Sequence, residues 1–309
     1  MRPIRIAIIG YGKIAADQHV PSIEANDRLE LAATSSRSGQ GVEPVYSDWR
    51  ELLDKVEALE AVAITTPPSV RYEIARECIA KGLHVLLEKP PTVTLSEVAE
   101  LACLAEARGV TLFATWHARH NPAVTAAAQA LAGKRIAGMR IVWHEDVHKW
   151  HPGQRWIWEP GGFGVFDPGI NALSIATAIF PGALFVRSGE LSFPENAQTP
   201  IAAEIGFASD VADGELSCSF DWRRSEGEEW TIDVRTTDGR TVHLADGGGR
   251  LSIDGQSQDL RGPGEYPDIY RHFVDLIDQR GSSVDVRPLQ LVADCLLASS
   301  RRTVDSVTM

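Results

Sequence analysis

Arg5-Ile6-Ala7-Ile8-Ile9-Gly10-Tyr11-Gly12-Lys13-Ile14-Ala15 decides the fold. A strand-forming run, Arg5 to Ile9, passes straight into the pattern G-x-G-x-x-A. Gly10 permits a tight turn, Gly12 has no side chain to block a pyrophosphate, and Ala15 lets the next helix approach the strand. The helix start that follows offers free N–H groups and a positive dipole end to phosphates. Gly10, Tyr11, Gly12, Lys13 and Ile14 are therefore read as contacts for a dinucleotide.

The chain around this turn supports the reading. Up to about residue 120, strand and helix patterns alternate, the mark of a doubly wound parallel sheet. Leu29–Ser35, Ala61–Thr66, His84–Glu88 and Thr111–Thr115 read as strands. Asp48–Lys55, Val70–Lys81 and a long segment from Thr94 to Gly109 read as helices, with Thr94 as cap and Gly109 as stop. Pro21 interrupts the first helix pattern, so a break and a second start are expected there.

After Asn121-Pro122 the pattern changes. One helix runs to about Ala132, and strand signals then dominate: Arg140–Val147, Leu184–Ser192, Ala202–Phe207, Glu215–Trp222, Trp230–Thr236, Thr241–Leu244 and Arg250–Ile253. Turn residues separate them, which predicts an open, mostly antiparallel sheet. Asn171–Ile179 and Ile269–Ile277 read as helical inserts, and Gln290–Arg301 as a C-terminal helix. The expected architecture is α/β: a Rossmann domain over 1–120 and an α+β substrate-binding and oligomerisation domain over 121–309.

Bulk properties narrow the partners. The 309 residues suit two domains, and 44% hydrophobic residues can fill both cores. A net charge of −12 argues against nucleic acid or an anionic membrane. No stretch approaches a membrane span, and the first apolar run is too short for a signal peptide. Cys78, Cys103, Cys218 and Cys295 are scattered, without a C-x-x-C pair. They read as small buried hydrophobes in a reducing cytoplasm.

The second strand normally ends, about twenty residues past the glycines, in an acid that binds the adenosine ribose of NAD. Here the place reads Thr34-Ser35-Ser36-Arg37-Ser38. A carboxylate there would repel a 2′-phosphate, whereas Ser36 and Arg37 can hold one. NADP is expected to be preferred and NAD tolerated. Thr65-Thr66-Pro67-Pro68 and Glu88-Lys89-Pro90-Pro91 each end a central strand at the edge where such sheets bind ligands. Thr65, Thr66, Pro67, Pro68, Glu88 and Lys89 join the cofactor-side candidates. The Lys89 ammonium is also placed to meet a substrate hydroxyl.

The densest chemistry runs from Trp143 to Asn171, and five of the eight tryptophans lie between residues 116 and 158. Aromatic faces cover the C–H patches of a sugar while carboxylates, imidazoles and amides sort its hydroxyls. Plain core packing is the rival for the tryptophans, Trp143 first. No metal is expected: His144 and His148 share a strand face without the convergence that helical spacing provides.

The glycine fingerprint, Thr66-Pro67-Pro68, Glu88-Lys89-Pro90 and Gly161–Asn171 together resemble the glucose-fructose oxidoreductase / inositol dehydrogenase family (Gfo/Idh/MocA). Within it, Glu145-Asp146-Val147, Lys149–Gln154, Trp156-Ile157-Trp158 and Gly164–Ile175 resemble the branch of bacterial L-arabinose and D-galactose 1-dehydrogenases, and the likeness extends along the whole chain. The resemblance implies an aldose oxidised at its anomeric carbon to a 1,5-lactone, with hydride passing to NAD(P). It also implies a homo-oligomer.

Many family members carry D-x-x-x-H in the glycine-rich segment. This chain has Asp167 and Asn171, and an amide cannot serve as a general base at neutral pH. The branch shares the asparagine. Lys89 and His151 remain as the candidates to take the proton, with Glu145 placed to orient one of them. Asp167 and Asn171 are expected on ring hydroxyls, and His117 and Trp150 are further substrate-binding candidates. Two alternatives stand beside this reading. One is a sugar- and dinucleotide-sensing regulator, which would be expected to lose Lys89 and His151. The other is an aldose–aldose oxidoreductase that retains its cofactor.

Overall fold

The computed structural model describes residues 2–308. The first strand, β1 (Ile4–Ile9), lies between β2 (Leu29–Ser35) and a later strand, with β3 (Val45–Tyr46), β4 (Ala61–Ile64), β5 (His84–Leu87) and β6 (Leu112–Ala114) completing the sheet. The order β3-β2-β1-β4-β5-β6 is entirely parallel, the doubly wound arrangement predicted from the sequence. The strands are buried on both faces, which is why they read as unbroken apolar runs.

The chain separates into two compact units, and the division differs from a single cut at residue 120. The first holds the chain through His117 together with Pro263–Val286; the second holds Ala118–Gly262 and the chain from Arg287. Helix Glu265–Gln279, expected in the second domain, belongs to the first. Its buried stripe of Tyr266, Ile269, Tyr270, Phe273, Val274 and Leu276 packs on Ile4, Ile6 and Ile8. Burying side chains such as Ile269 and Phe273 is worth roughly 1.5–3 kcal/mol each, which outweighs the loop needed to bring the chain back. Ser283 then continues along β6: its N–H donates to the Leu112 carbonyl at 3.0 Å and its carbonyl accepts from Ala114 at 3.0 Å.

Around Pro21 the helix adapts in an unforeseen way. The backbone makes a π turn over Ala15–His19, and Pro21 then occupies the first turn of helix Val20–Glu24. A proline at the start of a turn removes no needed N–H, and the widened turn ahead of it absorbs the misfit. Helix Pro68–Ala80 begins two residues earlier than Val70 for the same reason, with Pro68 at its start. Thr94 caps helix Leu95–Arg108 in a full capping box with Glu97, and Gly109 ends it in the left-handed conformation at φ 65°, as expected.

In the second unit β7 (Ile136–His144), β8 (Phe185–Pro194), β9 (Ala202–Ala208), β10 (Leu216–Asp221), β11 (Glu229–Thr236), β12 (Thr241–Ala245), β13 (Arg250–Ile253), β14 (Gln256–Ser257) and β15 (Ser300–Val304) form one sheet. Its order is β14-β13-β12-β11-β7-β10-β9-β8-β15. Pairs β7–β10 and β8–β15 are parallel and the other neighbours antiparallel, so the mostly antiparallel expectation holds. β15 was hidden in what reads as the tail of the last helix. That helix ends at Ala298, where two serines stop its apolar stripe, and the chain turns to pair with β8.

Two further boundaries matter for the site. β7 stops at His144 because Asp146 caps a short helix, Val147–Trp150, its carboxylate accepting from the His148 amide at 2.8 Å. His148 therefore lies on a helix, not on the strand with His144. Helix Phe166–Ile179 begins five residues before Asn171. Pro168 sits in its first turn, where proline is tolerated. Gly169 is required by packing, since a Cβ there would stand 2.8 Å from the Phe220 ring.

Candidate active site

In the first unit the glycine turn closes as its sequence demands. Gly10 has φ 101°, and a Cβ on it would strike Thr66 at 2.6 Å. The Gly10 and Tyr11 amides both donate to the Ser35 carbonyl at 2.9 Å, and the Thr65 hydroxyl donates to the Gly10 carbonyl at 2.7 Å. The turn is thereby tied to the ends of β2 and β4. Around Gly12 the space is open, the nearest atom to an added Cβ being the Gly10 carbonyl at 3.9 Å. Thr66 Oγ1 is buried without a hydrogen-bond partner. An open glycine face beside an orphaned hydroxyl fits a phosphate- and ribose-bearing cofactor. Lys13 and Ile14 are exposed on the helix that leaves the turn, Lys13 paired with Asp17.

At the end of β2, Ser36 is buried and its hydroxyl meets that of Ser38 at 2.7 Å. Arg37 is exposed, and no hydrogen bond or ion pair engages it among the described residues.

The end of β5 carries the most organised polar cluster of this unit. Glu88 is 5% exposed. Its Oε1 accepts from the Tyr266 hydroxyl at 2.8 Å and faces His19 Nε2 at 3.1 Å; its Oε2 accepts from the Lys89 amide at 2.8 Å. Burial alone would raise this carboxyl, but the His19 hydrogen bond and charge, the charge of His117 and the Tyr266 hydroxyl outweigh it and hold Glu88 well below the usual carboxylate range. Tyr266 is pushed the opposite way, first by burial and then by the adjacent Glu88 charge. His117 stacks on Tyr266, with ring centroids 5.9 Å apart, and its Nδ1 lies 2.8 Å from Glu265 Oε2. Arg71 is buried and donates to the carbonyls of Thr66, Glu88 and Pro90. Lys89 itself is partly buried.

The second unit gathers a different constellation. His151 Nε2 lies 3.3 Å from Asp167 Oδ2, and its Nδ1 lies 3.3 Å from Gln154 Oε1. Gln154 Oε1 also accepts from the Trp156 indole at 3.1 Å. The His151 ring tilts over Trp222 with centroids 5.2 Å apart, and Trp158 meets Trp222 edge-on. Asp167 and Asn171 lie four apart on helix Phe166–Ile179 and so share a face.

Glu145 is 5% exposed, and its two oxygens accept from the indoles of Trp222 and Trp230 at 3.0 Å each. The carboxylate positioned to orient His151 is thus Asp167, while Glu145 ties two tryptophans together. Trp150 is exposed, donates to Glu228 at 2.7 Å and leans on Trp230. Trp143 is buried and stacks on Trp230, the core role foreseen for it.

Three groups were missed in the sequence. His19 lies inside the first helix, Tyr266 and Tyr270 lie far downstream, and Trp222 and Trp230 lie on strands remote from the aromatic-rich segment. None stands in a local motif. The thiols of Cys78, Cys218 and Cys295 are buried as expected, whereas Cys103 is exposed on its helix. Among the described residues no group of three His, Cys, Asp or Glu is arranged for a metal, and no helix is long and apolar enough to cross a membrane.

A parallel sheet in this order, with an open glycine turn after its first strand, defines a dinucleotide-binding domain. Residues 4–116 match the model of the oxidoreductase family with an NAD-binding Rossmann fold. The chain is 45% identical over 308 residues to a galactose 1-dehydrogenase of Pseudomonas fluorescens, covering 99% of each. Its structure is similar to that of a D-galactose-1-dehydrogenase from Rhizobium etli, with TM-score 0.93, 45% identity and coverage of 100% and 99% of the two chains. The fold extends to a 3-ketoreductase from Actinomadura kijaniata crystallised with NADP, at TM-score 0.83, 17% identity and 98% and 99% coverage. The chain belongs to the Gfo/Idh/MocA family. It is an oxidoreductase that works with a nicotinamide cofactor.

Proposed function

We propose that this oxidoreductase is an NADP-preferring, NAD-tolerating aldose 1-dehydrogenase that oxidises D-galactose, L-arabinose and D-fucose pyranoses to their 1,5-lactones. One observation carries the reading: the likeness to galactose 1-dehydrogenases spans the substrate unit as well as the cofactor unit. The aromatic-backed His151–Asp167 pair is chemically suited to a sugar.

The turn at Gly10, Tyr11 and Gly12, the open face at Lys13 and Ile14, and the Thr65, Thr66, Pro67 and Pro68 strand end would hold the cofactor. Ser36 and Arg37 would take its 2′-phosphate. When bound, it supplies the acceptor for the hydride from C1. The Lys89 amine takes the proton of the C1 hydroxyl and becomes the ammonium, and the ring oxygen lone pair supports the carbonyl as it forms.

Hydrogen-bond roles favour Lys89 over His151 as the base. The Trp156 indole can only donate, so Gln154 Oε1 is an acceptor and asks His151 Nδ1 to donate. Asp167 asks the same of Nε2. With an acceptor facing each ring nitrogen, His151 is oriented as a binding group, and the proton is assigned to Lys89. His151 and Asn171 instead meet sugar hydroxyls, with Asp167 fixing His151; Trp150 and His117 are kept as further substrate-binding residues. Four unpaired thiols support a reducing, cytoplasmic setting, and the family likeness supports a homo-oligomer.

Absorbance of the reduced nicotinamide after adding D-galactose and oxidised cofactor tests the reading, with the lactone identified as product. Cofactor reduction matched by lactone supports it. Binding of sugar and dinucleotide without reduction would point to a regulator. Turnover only with an added acceptor aldose would point to a retained-cofactor oxidoreductase.

A further inference from the structure

Glu88 is buried at a cost the sheet does not need. A carboxylate without water is expensive unless every oxygen is matched. Here it is matched with care: Tyr266 donates at 2.8 Å, His19 stands at 3.1 Å, and His19 is itself fully buried with its Nδ1 2.7 Å from the Tyr270 hydroxyl. The remaining oxygen takes one backbone group, the Lys89 amide, at 2.8 Å. From the other side Arg71, also buried, donates to the carbonyls of Glu88 and Pro90, the residues on either side of Lys89, and to that of Thr66. The peptide bearing Lys89 is therefore gripped at its N–H and at both flanking carbonyls. Nothing in strand pairing requires this, since β5 has already ended at Leu87.

We propose that Glu88, braced by His19 and Tyr266, is a positioning residue that fixes the backbone of Lys89 and so the placement of its side-chain amine. The assignment rests on Lys89 being the base. It also gives the returning helix Glu265–Gln279 a purpose beyond core filling, since it supplies Tyr266 and Tyr270. Glu88 acts through Lys89, its own buried carboxylate being engaged by His19, Tyr266 and the Lys89 amide.

The test is a double-mutant cycle on the full-length enzyme with D-galactose and NADP. Variants Glu88→Gln, Lys89→Ala and the pair are compared, with Tyr266→Phe as a milder probe that removes one hydroxyl and keeps the ring. Misplacing a reacting group by about 1 Å can cost about 10²-fold in rate. Glu88→Gln is expected to lower kcat on that scale while KM for sugar and cofactor affinity by fluorescence titration change little. Tyr266→Phe should lose less in the same direction. On a Lys89→Ala background Glu88→Gln should cost almost nothing further, because the residue it positions is gone. A full second loss on that background, or a folded Glu88→Gln enzyme with unchanged kcat, overturns the positioning role while leaving Lys89 as the base. If Lys89→Ala keeps wild-type kcat, the base assignment fails and the positioning role falls with it.

Discussion

The first unit holds Lys89 by the backbone, whereas the second holds His151 by the ring. Lys89 sits in a peptide tied by a buried carboxylate and a buried guanidinium. His151 lies outside any long element, and its place depends on Asp167, Gln154 and the face of Trp222. A proton acceptor gains from a fixed position. A binding group that must match sugar hydroxyls gains from an oriented ring, which apolar faces and side-chain partners supply. The contrast yields separable predictions for the two units.

The largest effect is expected at Lys89. Lys89→Ala should lower kcat by about 10²–10⁴-fold, the usual range for general acid–base help, with cofactor affinity nearly unchanged. Steady-state kinetics with a binding titration checks this.

His151→Ala should act on the other side of the contrast. A lost charge-assisted hydrogen bond of about 1.5–3 kcal/mol lowers kcat/KM by roughly 10- to 200-fold, expressed mainly as a higher sugar KM. Asp167→Asn should follow the same pattern more weakly. A fall in kcat equal to that of Lys89→Ala, at unchanged KM, would make His151 the base and erase the distinction between the units.

At the cofactor edge, Arg37→Asp should weaken NADP by roughly 1.5–3 kcal/mol while sparing NAD. An unchanged kcat/KM for NADP would make the exposed Arg37 an ordinary surface cation. The smallest functional effect is expected at Glu145, which ties Trp222 to Trp230. Glu145→Ala leaves the buried Trp222 and half-buried Trp230 indole N–H groups without this acceptor, at about 1–3 kcal/mol for the buried one, lowering Tm, with a modest rise in sugar KM. Loss of kcat at undiminished Tm would return Glu145 to the chemistry.

The same contrast explains what could be read in advance. The Rossmann sheet announces itself because each strand is an apolar run closed by glycine or proline, and the Gly10–Ala15 turn is contiguous. Lys89 was legible because it ends a strand where such sheets bind ligands. Its supports were not: His19 is the buried last residue of the π turn Ala15–His19, and Tyr266 arrives on a helix that returns from 178 residues away. In the second unit the partners come from far along the chain. Glu145 stands near His151 in the chain, yet its oxygens go to Trp222 and Trp230, while Asp167 pairs with the histidine. The helix bearing Asp167 and Asn171 began early because Pro168 and Gly169, usual breakers, are tolerated in a first turn and required by Phe220 respectively.

The most direct test of the central claim is kcat/KM for D-galactose against D-glucose. L-Arabinose, D-galactose and D-fucose share the configuration at C2, C3 and C4 and differ only at C5, where a tolerant wall discriminates by about 1–3 kcal/mol per carbon. D-Glucose turns the C4 hydroxyl equatorial and leaves buried partners unpaired, at roughly 1–3 kcal/mol for each. All three axial-C4 sugars should be good substrates, with D-glucose well behind. Equal kcat/KM for D-glucose and D-galactose would contradict this ranking.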